Sequence, residues 1–101
     1  MQEQCEAALG KLTEALGKCG GRMEDVVALQ TYVVNVHENR NEKLMGFGRA
    51  LNKFTKHLPR DKRCANTLVG VTGLAGPSLL VEIQATALLP WGLDLGNMAK
   101  Q

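Results

Sequence analysis

Lys62-Arg63-Cys64-Ala65-Asn66-Thr67-Leu68-Val69-Gly70-Val71-Thr72-Gly73-Leu74 is followed, after Ala75-Gly76-Pro77-Ser78, by Leu79-Leu80-Val81-Glu82-Ile83-Gln84-Ala85-Thr86-Ala87, and these two runs decide the fold. Both are apolar, rich in β-branched residues and bounded by Gly or Pro, which predicts strands over roughly 66–74 and 79–88. The short Gly-Pro turn between them predicts a hairpin-like pair. A single carboxylate, Glu82, lies inside the second run. Strand alternation puts Glu82 and Gln84 on one face and Val81 and Ile83 on the other. Carboxylates are almost never fully buried without a partner. Glu82 therefore faces either solvent or a polar cleft, and in a cleft desolvation would raise its pKa and suit it to proton transfer. Asn66 and Thr67 open the first strand, where short polar side chains often satisfy the backbone.

Upstream, Cys5, Ala8, Leu9, Leu12, Ala15, Leu16 and Cys19 recur at helical spacing, which predicts an amphipathic helix over residues 3–19 with one core-facing stripe. Gly20-Gly21 stops it. Val26 to Val36 is nearly continuous in apolar and β-branched residues, the mark of a long strand covered on both faces. His37-Glu38-Asn39-Arg40-Asn41 is a loop with two candidate caps, Asn39 and Asn41. Leu44, Phe47, Ala50 or Leu51, and Phe54 then form the stripe of a second helix that ends before Pro59. The order α-β-α-β-β, with one apolar stripe per helix, predicts an α+β two-layer sandwich: two helices on one face of a mixed sheet. In a chain this short the open face is most simply covered by further copies of itself.

The chain has 101 residues, 45% hydrophobic, 22% charged and 4% aromatic, with a formal net charge of +2. This is a globular composition, and it lacks both the stacking aromatics and the strong positive charge of a nucleic-acid binder. Arg49, Lys53, Lys56, Arg60, Lys62 and Arg63 are six of the twelve Lys and Arg, a basic stretch that suits either a solvated helix face or an anion site. His37 and His57 stand isolated. Cys5, Cys19 and Cys64 show no metal-ligand spacing, and their odd number predicts reduced thiols in a cytosolic setting. No metal or cofactor is expected, no Gly-rich phosphate loop is present, and neither a leader peptide nor a membrane span is expected.

From about Glu3 to Ala87 the chain resembles the RidA/YjgF family, also called the YjgF/YER/UK or L-PSP endoribonuclease-like proteins. The first helix, Glu24-Asp25-Val26-Val27, Gln30-Thr31-Tyr32-Val33-Val34, the second helix, Thr67-Leu68-Val69-Gly70-Val71 and Val81-Glu82-Ile83-Gln84-Ala85 carry the resemblance. It implies a chorismate-mutase-like fold, a homotrimer and ligand clefts between subunits. It also implies hydrolysis of reactive enamines and imines to 2-keto acids, or, in some members, ribonuclease activity. Glu82 matches the glutamate that orients water. Asn66 falls where the deaminases carry the arginine that holds the substrate carboxylate, and asparagine has no planar cationic fork. Arg63, roughly 10 Å upstream in extended chain, is the candidate replacement. Thr67 and Gln84 complete the ligand-binding set.

Three functions follow as expectations: a binder of a small carboxylate or carbonyl metabolite with little turnover, an imine deaminase using Arg63, or an RNA-acting protein using the basic stretch. The family begins with a β-hairpin before its first helix, which this chain is expected to lack. Residues 1–90 are expected to form the domain and 91–101 a tail. Trp91-Gly92-Leu93-Asp94-Leu95-Gly96-Asn97-Met98 reads rather like the absent first strand.

Overall fold

The computed structural model describes residues 1–89; the tail from Pro90, with its suggested strand, lies outside them. Helix α1 spans Gln2–Lys18, strand β1 Val26–Val34, helix α2 Arg40–Thr55, strand β2 Ala65–Val71 and strand β3 Val81–Ala87. Single 3-10 turns at Met23–Asp25 and Arg60–Lys62 lead into β1 and β2. Both helices pack on one face of the sheet, as the two stripes require. Cys5 and Leu9 of α1 and Phe47 and Ala50 of α2 meet Leu29, Val33, Val81 and Ile83 in one core.

The sheet order is β2-β1-β3. The expected hairpin of the last two strands is thus corrected. β1 lies between them, parallel to β2 and antiparallel to β3. The physical reason is burial: β1 holds the most continuous apolar run, so it takes the central position with a neighbour on each side. The segment from Thr72 to Leu80 then crosses the end of β1 instead of turning tightly.

In β1, Leu29, Thr31 and Val33 face the helices, while Ala28, Gln30, Tyr32 and Val34 face away. Val26 also points inward at 2% exposure, three residues from Leu29. A register shift between Val26 and Ala28 makes this possible by inserting one residue and leaving Val27 outside. β1 stops at Val34 because Asn35 turns to a left-handed φ of 47°. Lys43, one turn into α2, donates to the carbonyl oxygens of Val34 (3.1 Å) and Asn35 (2.8 Å), tying the end of the strand to the helix. Asn39 occupies the α2 cap position but makes no side-chain capping bond.

The end of α1 is a Schellman motif. Gly20 has φ 80°, its N–H donates to the Gly17 carbonyl, and the Gly21 N–H donates to the Leu16 carbonyl at 2.8 Å. An alanine at position 20 is strained in that conformation. Gly20→Ala is expected to lower stability by about 1 kcal/mol, read as a drop in the urea midpoint at constant slope.

Burial pushes the Cys5 thiol pKa up to about 11. It also raises that of Cys64, which is half-buried. Since the thiolate is the reactive form, Cys5 is expected to resist iodoacetamide at pH 8 until the chain unfolds. Peptide mass spectrometry with and without denaturant checks this; rapid native labelling at Cys5 overturns the packing of α1.

Candidate functional site

The open face of the sheet can be laid out from the strand registers. Its middle row is Thr67, Gln30 and Gln84, running across β2, β1 and β3. The next row is Val69, Tyr32 and Glu82, and the row on the other side is Ala65, Ala28 and Thr86. A polar stripe thus crosses a face that is otherwise largely apolar, with Val69 40% exposed. Glu82, Gln84 and Thr67 are all exposed in the protomer. Thr67 and Gln84 come together through Gln30, and Glu82 stands beside Tyr32. Gln30 and Tyr32 are members of this face that the sequence did not reveal. Their place depends on which strand lies between β2 and β3, which no local pattern encodes.

Asn66 lies elsewhere. It pairs with Leu29, on the helix-facing side of β2, and its Oδ1 accepts a hydrogen bond from the Thr31 hydroxyl at 2.9 Å. Thr31 is 0% exposed, so without this bond its hydroxyl would be a buried, unpaired donor. Asn66 and Glu82 therefore occupy opposite faces of one protomer's sheet, about 10 Å apart along the strands. Arg63 closes the 3-10 turn before β2, away from Glu82, where it borders a small hollow with Leu51, Thr55 and Cys64. A single protomer does not bring Arg63 or Asn66 to the carboxylate.

The basic stretch divides in two. Lys53 binds Glu6 at 2.7 Å, joining α2 to α1. Hydrogen bonding and charge from Lys53 hold the Glu6 carboxyl below its ordinary pKa. A depressed carboxyl pKa contributes stability above the unfolded-state value and loses it as pH falls through the folded one. The melting temperature of wild type is therefore expected to fall toward that of Glu6→Gln as acid titrates this group; parallel profiles would contradict the pairing. Arg60, Lys62 and Arg63 lie exposed around the second 3-10 turn, and His57 and His37 are exposed. Among the described residues no cluster of His, Cys, Asp or Glu could hold a metal, and no helix is long and apolar enough to cross a membrane.

A second feature borders Glu82. Among the described residues β3 is an edge strand, and α1 runs beside it, leaving a groove with a cavity of about 350 Å³. Ala7, Ala8 and Leu12 of α1 and Leu79, Val81 and Ile83 line it, with Lys11 and Glu82 as its charged groups. The Gln4 amide closes one end: its Oε1 accepts from the Leu80 N–H at 2.8 Å and its Nε2 donates to the Ser78 carbonyl at 3.0 Å.

Solved structures share this fold. A Rid-family protein of unknown function from Yersinia pestis, YyfB, is 38% identical with a TM-score of 0.75, over 88% of this chain and 62% of that one. A protein of unknown function from Pseudomonas aeruginosa, PA3499, is 34% identical with a TM-score of 0.73, over 85% and 56%. Rv2704 of Mycobacterium tuberculosis, a member of the YjgF/YER057c/UK114 family, is 29% identical with a TM-score of 0.71, over 84% and 64%. The chain thus spans somewhat less than two thirds of the length of each. Among curated proteins none matches. The profile of the Endoribonuclease L-PSP family matches residues 1–89, nearly all of the chain. With its two helices on one face of a mixed sheet, this chain belongs to the L-PSP endoribonuclease family, the RidA/YjgF group, and has its chorismate-mutase-like α+β fold.

Proposed function

We propose that the chain is a small-metabolite-binding member of this family, with little imine deaminase turnover, whose site forms where the open sheet faces of three copies meet. The observation that carries this reading is the Asn66–Thr31 hydrogen bond. At the position where the deaminases hold the substrate carboxylate, this chain has a neutral amide engaged by a buried hydroxyl. Glu82, beside Tyr32, and Gln84, beside Gln30, remain free to face a ligand on the other side of the sheet. Thr67 adds a hydroxyl to the same stripe. Ligands here are carboxylates or carbonyl compounds of a few carbons, which accept from amide and hydroxyl donors. The exposed Val69 row, which a chain of 101 residues has few other means to cover, supports the trimer. No cofactor enters the reading, and the cytoplasm suits its reduced thiols.

Isothermal titration with 2-oxobutanoate tests binding. Saturable uptake by wild type, lost in Glu82→Gln and Gln84→Leu, is expected; equal affinity in all three overturns the site.

A second reading, action on RNA, is favoured by the exposed Arg60, Lys62 and Arg63 and by relatives such as the putative endoribonuclease of Klebsiella pneumoniae, 24% identical with a TM-score of 0.71 over 85% of this chain and 58% of that one. General acid–base cleavage needs two poised groups within hydrogen-bond reach. His57 makes no side-chain hydrogen bond or ion pair among the described residues, so salt-sensitive binding without cleavage is expected. Cleavage that co-purifies with the protein through a second ion-exchange step and vanishes in His57→Ala or Glu82→Gln would make this the leading function.

A further inference from the structure

A small hollow opens at the β2 side of the sheet, between α2 and the 3-10 turn that leads into β2. Gly48, Leu51, Asn52 and Thr55 form one stripe of α2 by helical spacing, and Arg63 and Cys64 close the other side. The cavity is about 210 Å³, below the range of drug-sized sites, which limits an occupant to a few heavy atoms. Its walls are anchored from behind. Thr55 and Leu58 are buried, and the Thr55 hydroxyl donates to the Leu51 carbonyl at 2.9 Å. The turn is closed by the Lys62 N–H on the Pro59 carbonyl at 2.9 Å and the Arg63 N–H on the Arg60 carbonyl at 3.2 Å.

Two side chains of the hollow keep free donors. The Arg63 guanidinium and the Asn52 amide make no side-chain hydrogen bond or ion pair among the described residues, although Lys18, Arg22 and Lys53 do pair there. The surrounding charge is mainly of one sign. Arg60, Lys62 and Arg63 share the turn with a single carboxylate, Asp61, which does not line the hollow. Burial raises the Cys64 thiol pKa, so that wall is neutral at pH 7 and does not repel an anion. Gly48 leaves the floor open, since a Cβ there would meet nothing within 4 Å.

A guanidinium fork grips carboxylate and phosphate alike. Three cations against one carboxylate favour the dianion, and Leu51 with the open position at Gly48 gives a short hydrocarbon an apolar surface. We infer that this hollow binds a small phosphomonoester, its phosphate on Arg63 and Asn52 and its carbon chain over Gly48 and Leu51. The site goes beyond the reading of the Glu82 face: it lies on the helix side of the sheet, uses none of the same residues, and gives the basic turn a small-molecule ligand.

The test is a set of amide NMR titrations at pH 7.5 with propyl phosphate, inorganic phosphate and butyrate. Propyl phosphate is expected to shift Gly48, Asn52 and Arg63 and to bind at least about fivefold more tightly than either of the others, since only it has both the dianion and the apolar chain. Arg63→Met should weaken both phosphates by about tenfold, the worth of a charge-assisted contact. Gly48→Leu fills the floor and replaces glycine by a better helix former, so it is expected to fold, which its one-dimensional spectrum verifies. It should weaken propyl phosphate by about tenfold and leave inorganic phosphate unchanged, a split that a general loss of positive charge does not produce. Equal affinity for propyl phosphate and butyrate, or unchanged propyl phosphate affinity in Arg63→Met or in Gly48→Leu, overturns the inference. Binding of a short RNA by wild type with no propyl phosphate shift overturns it in favour of the RNA reading.

Discussion

Val69→Asp is expected to convert an assembled protein into monomers. Val69 lies on the open face, 40% exposed in the protomer, in one row with Tyr32 and Glu82. An exposed position tolerates aspartate with little cost to the fold of the single chain. If the same face is covered by neighbouring copies, each copy instead buries an unpaired carboxylate, at a cost of about 3–5 kcal/mol per site. Sedimentation equilibrium at micromolar concentration should give a trimer for wild type and a monomer for Val69→Asp, with matching circular dichroism. A wild-type monomer removes both the trimer and the inter-subunit cleft. A Val69→Asp trimer places the interface on another surface.

The same residue shows where sequence patterning carries information and where it does not. Cys5, Leu9, Phe47 and Ala50 follow from helical spacing, and all four are buried. The strands from Val26, Ala65 and Val81 were visible as β-branched runs. The position of β1 between the other two was not visible. Strand order depends on which neighbours bury the most apolar surface, and that is a property of the whole sheet. Adjacency in sequence favours a hairpin of the last two strands, and the open-face neighbours of Gln30 and Tyr32 lie on β2 and β3, which local patterning does not bring together.

At Glu82 the alternation of a single strand was enough to give its facing. At Asn66 the family position suggested a ligand contact, whereas the structure gives a structural partner, Thr31, 35 positions away in sequence. Such a side-chain pair leaves no local signature.

Wild-type protein supplied with 2-iminobutanoate, generated by an amino-acid oxidase, is expected to release keto acid barely above the uncatalysed rate. A buried charged contact to a substrate carboxylate is worth about 2–5 kcal/mol, or roughly thirty-fold to a few thousand-fold in rate. Asn66 does not provide it.

Asn66→Arg is expected to act in two directions at once. It removes the acceptor of the buried Thr31 hydroxyl, costing about 1–3 kcal/mol of stability. It also restores a bidentate cation at the start of β2, an exposed edge position from which a long side chain can reach a neighbouring copy, and this should raise turnover at least thirty-fold. Thr31→Val in the same chain removes the orphaned hydroxyl and should recover much of the lost stability while leaving the gain in turnover intact. That double variant separates the two effects of position 66. Stability recovered without any gain in turnover means that the catalytic cleft needs walls beyond residues 1–89. Robust turnover by wild type means that another cation, with Arg63 the first to replace, already holds the substrate.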